Sequence, residues 1–171
     1  NKIRKNKITI IGNLPYNISS QILIKFIKYK NLNLKFKDLI FMFQKELGER
    51  IIGKFPSKHY GRLSIISNYK LFIKKKFLVS ENCFFPKPKV KSMVIHFKIA
   101  GKNDYKIKNI SNLEKLTNLI FSNKRKMINK KIKTILSAEK LKKIPELNLN
   151  LRPEEVSPSM FYKITKIYED S

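Results

Sequence analysis

The chain has 171 residues, 42% of them hydrophobic, which is enough for a real core in one or two domains. Thirty-eight Lys and Arg against 12 acidic residues give a formal charge of +26, which favours a polyanionic partner, either nucleic acid or an anionic membrane. Only five of the 38 are Arg, and Asn and Ile are also abundant, so part of that charge is compositional background. The single cysteine, Cys83, excludes an internal disulfide, and with His59 and His96 it is too sparse and scattered for a structural zinc site.

In chain order, residues 7–11 read as a buried strand, with Gly12 as a pivot. The turn Asn13-Leu14-Pro15-Tyr16 follows, and Ser19 or Ser20 then caps a helix whose apolar face is Ile22, Leu23, Phe26 and Ile27. Residues 38–43 form a short continuous apolar run, which suits a central parallel strand. Helices are predicted from Lys45 to about Gly53 and from Leu63 to Leu71. Phe72 to Val79 and Val90 to Ile99 read as an antiparallel pair at the sheet edge, joined through the Pro-rich segment Phe84–Lys89.

Beyond Gly101-Lys102-Asn103-Asp104 no strand pattern is convincing. Ser111-Asn112-Leu113-Glu114 has the form of a capping box, opening a helix with Leu113, Leu116 and Ile120 on one face. Lys124 to Leu136 reads as an amphipathic helix, with Ile128, Ile132 and Ile135 inward and Lys126, Lys130 and Lys133 outward. Ser157-Pro158 starts a last helix with the apolar stripe Met160, Phe161, Ile164, Ile167 and Tyr168. These readings give an incomplete α/β sheet over 1–101 and a small helical domain over 102–171.

The first turn carries the chemistry. Open α/β sheets bind ligands beyond the carboxyl ends of their strands. There Asn13 offers a side-chain carbonyl to an amino group, and Leu14 is pushed toward extended backbone by the following proline. Pro15 stiffens the turn, and Tyr16 offers a face for stacking. Such a set suits a flat base bearing an exocyclic amine. Taken alone it better describes a structural loop with a buried tyrosine, because Asn and Pro are ordinary turn residues.

Ile11 to Ser20, IGNLPYNISS, resembles the catalytic motif of the ribosomal RNA adenine N6,N6-dimethyltransferase family. Phe43-Gln44-Lys45-Glu46, Tyr60-Gly61-Arg62-Leu63-Ser64 and the segment Phe84 to Ser92 resemble further family elements in the same order. FSNKRK (Phe121 to Lys126) looks like the family's basic helix start, and Leu151 to Ser157 like the lead-in to its last helix. The chain departs from the pattern at Phe85, where a smaller residue is usual, and at Lys91, where an acidic one is. Asn123 and Lys124 stand in place of Gln and a second Arg. Only twelve residues precede Asn13, and the family's cofactor-binding strand and Gly-rich loop are expected upstream of it.

The resemblance implies the C-terminal part of a Rossmann-like class I methyltransferase sheet, followed by a helical RNA-binding domain. It implies methyl transfer from S-adenosyl-L-methionine to adenine N6, twice per base, in small-subunit ribosomal RNA. Asn13 and Leu14 would hold the amine, with Asn13 also at the cofactor. Pro15 would fix the turn, and Tyr16 and Phe84 would close on the two faces of the base. Lys124, Arg125, Lys126, Lys130 and Lys133 would contact the RNA backbone. A cytoplasmic monomer without metal or membrane attachment is expected. Two alternatives stay open: a non-catalytic RNA-binding or ribosome-assembly module, and a large-subunit methyltransferase of the resistance type. Phe84 as plain core packing and the lysines as a solvated face remain the bland readings of those residues.

Overall fold

A computed structural model describes residues 7–100 and 104–170. The chain forms two compact units. One comprises Asn1–Ile52 with Ser67–Gly101; the other comprises Gly53–Ile66 with Lys102–Ser171.

The first unit is a four-stranded mixed sheet with helices. Its strands are β1 (Ile8–Asn13), β2 (Phe36–Gln44), β3 (Leu71–Val79) and β4 (Ser92–Ile99), in the order β1-β2-β4-β3. β1 runs parallel to β2, and β4 runs antiparallel to both β2 and β3. The apolar run 38–43 is therefore an inner strand, as its lack of alternation requires: Leu39, Phe41 and Phe43 are fully buried. On β4 the alternation resolves as read, with Met93, Ile95 and Phe97 buried and Val94, His96 and Lys98 more exposed.

β1 corrects the expectation of a buried strand. Ile8 is 49% and Ile11 76% exposed. Among the described residues β1 pairs with β2 alone, so its side chains lack the neighbours that would cover an inner strand. Gly12 is likewise no pivot: it lies inside β1, and no glycine among the described residues has positive φ. Its role is space, because a Cβ there would lie 3.3 Å from Leu14 Cδ2 and 3.4 Å from Phe41 Cδ1.

Helix α1 (Ser19–Lys28) buries Leu23 and Ile27, while Ile22 and Phe26 are half-buried. The Phe26 ring lies 5.4 Å from Phe41 and 5.6 Å from Phe36, which fixes α1 over the sheet. Neither serine caps it. The helix begins at Ser19, whose hydroxyl donates back to the Tyr16 carbonyl (3.1 Å). A single-turn helix α2 (Leu32–Lys35) leads into β2. Helix α3 (Lys45–Ile51) sits close against β4 at Gly48, where a Cβ would meet Met93 Sδ at 2.8 Å. Its exposed face carries the Glu46–Arg50 and Lys45–Glu49 ion pairs. Helix α4 (Arg62–Lys70) passes from the second unit into the first.

The second unit is helical. Helix α5 (Ile110–Phe121) buries Leu113, Leu116 and Ile120. Its cap is Asn109, whose side chain accepts from Ser111 N, so the predicted box starting at Ser111 is displaced by two residues. The Glu169 carboxylate accepts from the Lys108 and Asn109 amides (2.6 and 2.9 Å) and supplies the anion that a helix N-terminus favours. The predicted helix from Lys124 to Leu136 is reduced to α6 (Asn129–Lys133). Residues 122–126 form turns, and Ile128 N and Asn129 N bond to Leu151 O and Leu149 O rather than to preceding carbonyls. Ile128 and Ile132 are still buried.

After the short α7 (Ala138–Leu141), the unit closes with α8 (Pro158–Glu169), capped by Ser157 as expected. Phe161 stacks on Phe121 with ring centroids 5.7 Å apart. Tyr168, predicted in the buried stripe, is instead 37% exposed, whereas Tyr162 is buried and donates to Ile65 O (2.8 Å).

Candidate active site and nucleic-acid interface

The Asn13-Leu14-Pro15-Tyr16 turn lies at the carboxyl end of β1, with Asn13 in register with Met42 of β2. Asn13 is exposed, and among the described residues its side-chain amide has no hydrogen-bond partner. Leu14 is half-buried and Pro15 exposed. The Pro15 carbonyl accepts from Ile18 N (3.2 Å), and Ser19 Oγ donates to the Tyr16 carbonyl. The turn is thus braced by its own backbone before α1 begins, and the polar side chain of Asn13 is left for an external partner.

Tyr16 is held at its far end as well. Its Oη lies 2.6 Å from Ser92 Oγ. Ser92 is fully buried at the first position of β4, in register with Gln44 on one side and Val79 on the other. A phenol fixed at both Cα and hydroxyl presents its ring in one orientation. Sequence reasoning missed Ser92 as part of this site, since a serine opening a strand has no distinguishing pattern. Its place in the Phe84 to Ser92 element was the available signal.

Phe84 follows a 3-10 turn (Glu81–Cys83) and is half-buried. Its neighbour Phe85 is 102% exposed. Phe43 to Glu46 spans the end of β2 and the start of α3 in the first unit, whereas YGRLS and LRPEEVS serve the fold of the second. Tyr60 is buried and donates to Val156 O (2.7 Å), which joins YGRLS to LRPEEVS. Burial, with the Tyr162 phenol as a lesser cause, pushes the Tyr60 hydroxyl well above the usual phenol range. Ser64, fully buried, exchanges hydrogen bonds with the Gly61 N–H and carbonyl. Glu155 Oε2 accepts from Arg152 N, closing the turn ahead of α8.

Of the five predicted backbone-contacting residues, Lys124, Arg125 and Lys126 lie on the turns after α5, and Lys130 and Lys133 on α6. All five are exposed, and among the described residues none forms an ion pair. Their charges are therefore uncompensated by protein. His96 is tied up elsewhere: its Nε2 lies 2.8 Å from Asp38 Oδ1 across β2 and β4. The hydrogen bond from His96 holds the Asp38 carboxyl below its usual range. Among the described residues no group of three His, Cys, Asp or Glu could hold a metal ion, and no helix is long and apolar enough to cross a membrane.

This α/β sheet ends a strand in a polar Asn-Leu-Pro-Tyr turn, where Rossmann-like sheets bind their ligands, and the second unit is helical with exposed basic residues. The family model for ribosomal RNA adenine dimethylase matches residues 1–170, and the chain belongs to that family. It is 41% identical over 171 residues to ribosomal RNA small subunit methyltransferase A of Pelagibacter ubique, covering 98% of this chain and 64% of that protein. The protein of the same name in Buchnera aphidicola is 40% identical over 169 residues, covering 98% of this chain and 60% of that protein. The chain thus spans about three-fifths of the length of these relatives. Among solved structures, a dimethyladenosine transferase from Plasmodium falciparum superposes with a TM-score of 0.75 at 22% identity, over 96% of this chain and 69% of that one. The 23S rRNA methyltransferase ErmE superposes with a TM-score of 0.66 at 15% identity, over 96% and 66%. Both likenesses support the Rossmann-like fold.

Proposed function

We propose that the protein of which this chain is part dimethylates adenine N6 in small-subunit ribosomal RNA, with S-adenosyl-L-methionine as methyl donor. The observation that carries this reading is the Asn13-Leu14-Pro15-Tyr16 turn at the carboxyl end of β1, with Asn13 unpartnered among the described residues and Tyr16 pinned by Ser92. Family membership and the names of the small-subunit relatives support it over the large-subunit and non-catalytic alternatives. We take residues 1–101 as the C-terminal half of the catalytic domain and 102–171 as the RNA-binding domain of a cytoplasmic monomer.

The residues present fit one side of a site for the donor and base, since Asn13 offers both an amide carbonyl and an NH2 group at the strand end. When bound, the donor supplies an electrophilic methyl group on a sulfonium. An adenine amine is a poor nucleophile, because its lone pair is delocalised into the ring. Asn13 Oδ1 and the Leu14 carbonyl accept from its two N–H groups and favour a pyramidal nitrogen with a directed lone pair. That is positioning plus electrostatic preorganisation. Tyr16 and Phe84 stack on the base once it is flipped out. Transfer would exchange the donor's C–S bond for the new C–N bond, leaving a neutral thioether, and the resulting ammonium would release its proton to water, so no strong general base is needed among these residues.

Incubating the full-length protein with the methyl donor and, in separate reactions, unmodified small-subunit and large-subunit particles tests the reading. Mass spectrometry of the digested RNA is expected to show adenines carrying two methyl groups on N6, and the Asn13→Ala variant to abolish them. Modification confined to large-subunit RNA, or none at all, would reject the proposal.

A further inference from the structure

Residues 80–91 connect β3 to β4, and Phe85 stands on this segment as the most exposed of the large hydrophobic residues described, at 102%. The segment is braced on both sides of it. Asn82 N and Cys83 N bond to the Ser80 hydroxyl and carbonyl, and Phe84 N bonds to Glu81 O. Downstream, the Lys91 carbonyl accepts from Lys45 N (2.9 Å), and Ser92 is locked into the sheet. Pro86 and Pro88 remove further backbone freedom between these anchors. The Phe85 ring is held in solvent by a restrained chain, where burying it would gain hydrophobic free energy.

The residues around the ring indicate what covers it. Lys87, Lys89 and Lys91 are all exposed, and no acidic residue lies between Phe84 and Ser92. Cations select a polyanion, and an unpaired aromatic face selects one with unstacked flat bases, which is single-stranded RNA rather than a duplex or a lipid surface. The segment runs directly into Ser92, whose hydroxyl pairs with Tyr16 of the Asn-Leu-Pro-Tyr turn. We propose that Phe85, with Lys87, Lys89 and Lys91, is a stacking platform for a nucleotide flanking the target adenine. The proposal rests on the methyltransferase reading for its substrate and extends it to a position where the family resemblance assigns no role.

The test measures binding of the full-length protein to a fluorescent single-stranded RNA of roughly 12 nucleotides, within the usual site sizes of such grooves, with no methyl donor present. Phe85→Ala is expected to weaken binding about 5- to 150-fold, the range expected for losing one stacked base. Phe85→Trp and Phe85→Tyr should retain affinity, while Phe85→Leu should behave like Ala, because stacking needs a ring and burial does not. The thermal midpoint and the sedimentation coefficient should not change. Equal binding by the parent and Phe85→Ala overturns the platform, as does full retention by Phe85→Leu. A lowered midpoint or altered oligomeric state in Phe85→Ala also overturns it, by showing that protein covers the ring. Because no methyl transfer is read, this result is independent of the activity assay: a graded Phe85 series with no methylation would reject the activity and leave the RNA contact standing.

Discussion

Tyr16 Oη and Ser92 Oγ lie 2.6 Å apart, which ties the turn after β1 to the start of β4 across 76 residues of sequence. The ring proposed to stack on the base is therefore oriented by a strand two places away in the sheet, and the fold itself sets the geometry of the site. Ser92→Ala should remove this restraint and lower methyl transfer by about fivefold, since one neutral hydrogen bond is worth about 1 kcal/mol. Tyr16→Phe should cost about the same, and the double variant no more than either alone, as a double-mutant cycle on a shared bond requires. The loss should fall on kcat more than on KM, and Ser92→Thr should restore part of it. Fully additive losses would show that Ser92 acts only through folding.

Asn13 has no protein partner among the described residues, so its replacement should leave stability untouched. Asn13→Ala in the full-length protein should lower the methylation rate on the order of 100-fold or more, the scale for removing a preorganised polar contact. RNA affinity should change little. A variant retaining near-parental turnover would refute the proposed contact with the reacting amine.

The parts of the fold that were legible in the sequence are those where local pattern and tertiary environment agree. β4 alternates because one of its faces is packed, and β2 is apolar without interruption from Leu39 to Phe43 because it lies between β1 and β4. The errors have a common cause. Ile8 and Ile11 look like core residues, but burial belongs to the neighbours of a strand, and among the described residues β1 has one. The spacing of Ile128, Ile132 and Ile135 looks helical. The backbone before them is instead taken by Leu149 and Leu151, pairings that no local pattern encodes. Asn109 and Ser111 are both good caps, and the Glu169 carboxylate, 60 residues away from Asn109, adds to the earlier start. At the site, the Asn-Leu-Pro-Tyr turn could be read directly, whereas the bond from Ser92 and the solvent-held ring of Phe85 are tertiary facts.

Asp38 gives the sheet an acid-sensitive point. Its carboxyl is held below the ordinary aspartate value of 3.8, first by the hydrogen bond from His96 and further by the charges of His96, Lys74 and Lys37, against the opposing effect of burial. A carboxyl whose folded pKa is depressed contributes stability above its unfolded pKa and loses it as pH falls through the folded value. Asp38→Asn should therefore destabilise the protein by about 1.5–3 kcal/mol at neutral pH, the usual worth of a hydrogen bond to a charged group. The difference between variant and parent should narrow below pH ~4 and close at lower pH. Urea unfolding at a series of pH values measures this. A gap that stays constant through the acid range would mean that the carboxylate charge contributes nothing.

The basic residues of the second unit make the remaining prediction, one that the shortened α6 alters in form. Lys130 and Lys133 are on the helix, but Lys126 sits on the turn before it, so the three do not share one regular helical face. What unites them is exposure and the lack of any acidic partner among the described residues. If they bind phosphates, changing all three to Gln should weaken RNA binding and flatten its salt dependence, by roughly 0.7–0.9 in slope for each phosphate no longer neutralised. The fold should survive, because Ile128 and Ile132 stay buried beneath them. Lys28 and Lys35 are poor controls: Lys28 has an interaction of its own, and Lys35 lies over the Tyr29 and Phe36 rings. Exposed Lys30, Lys54 and Lys143 serve better. A localised interface predicts a large effect from the first triple and a small one from the second. Equal weakening by both would show that the RNA responds to net charge, and that the turn after α5 with α6 is a solvated surface.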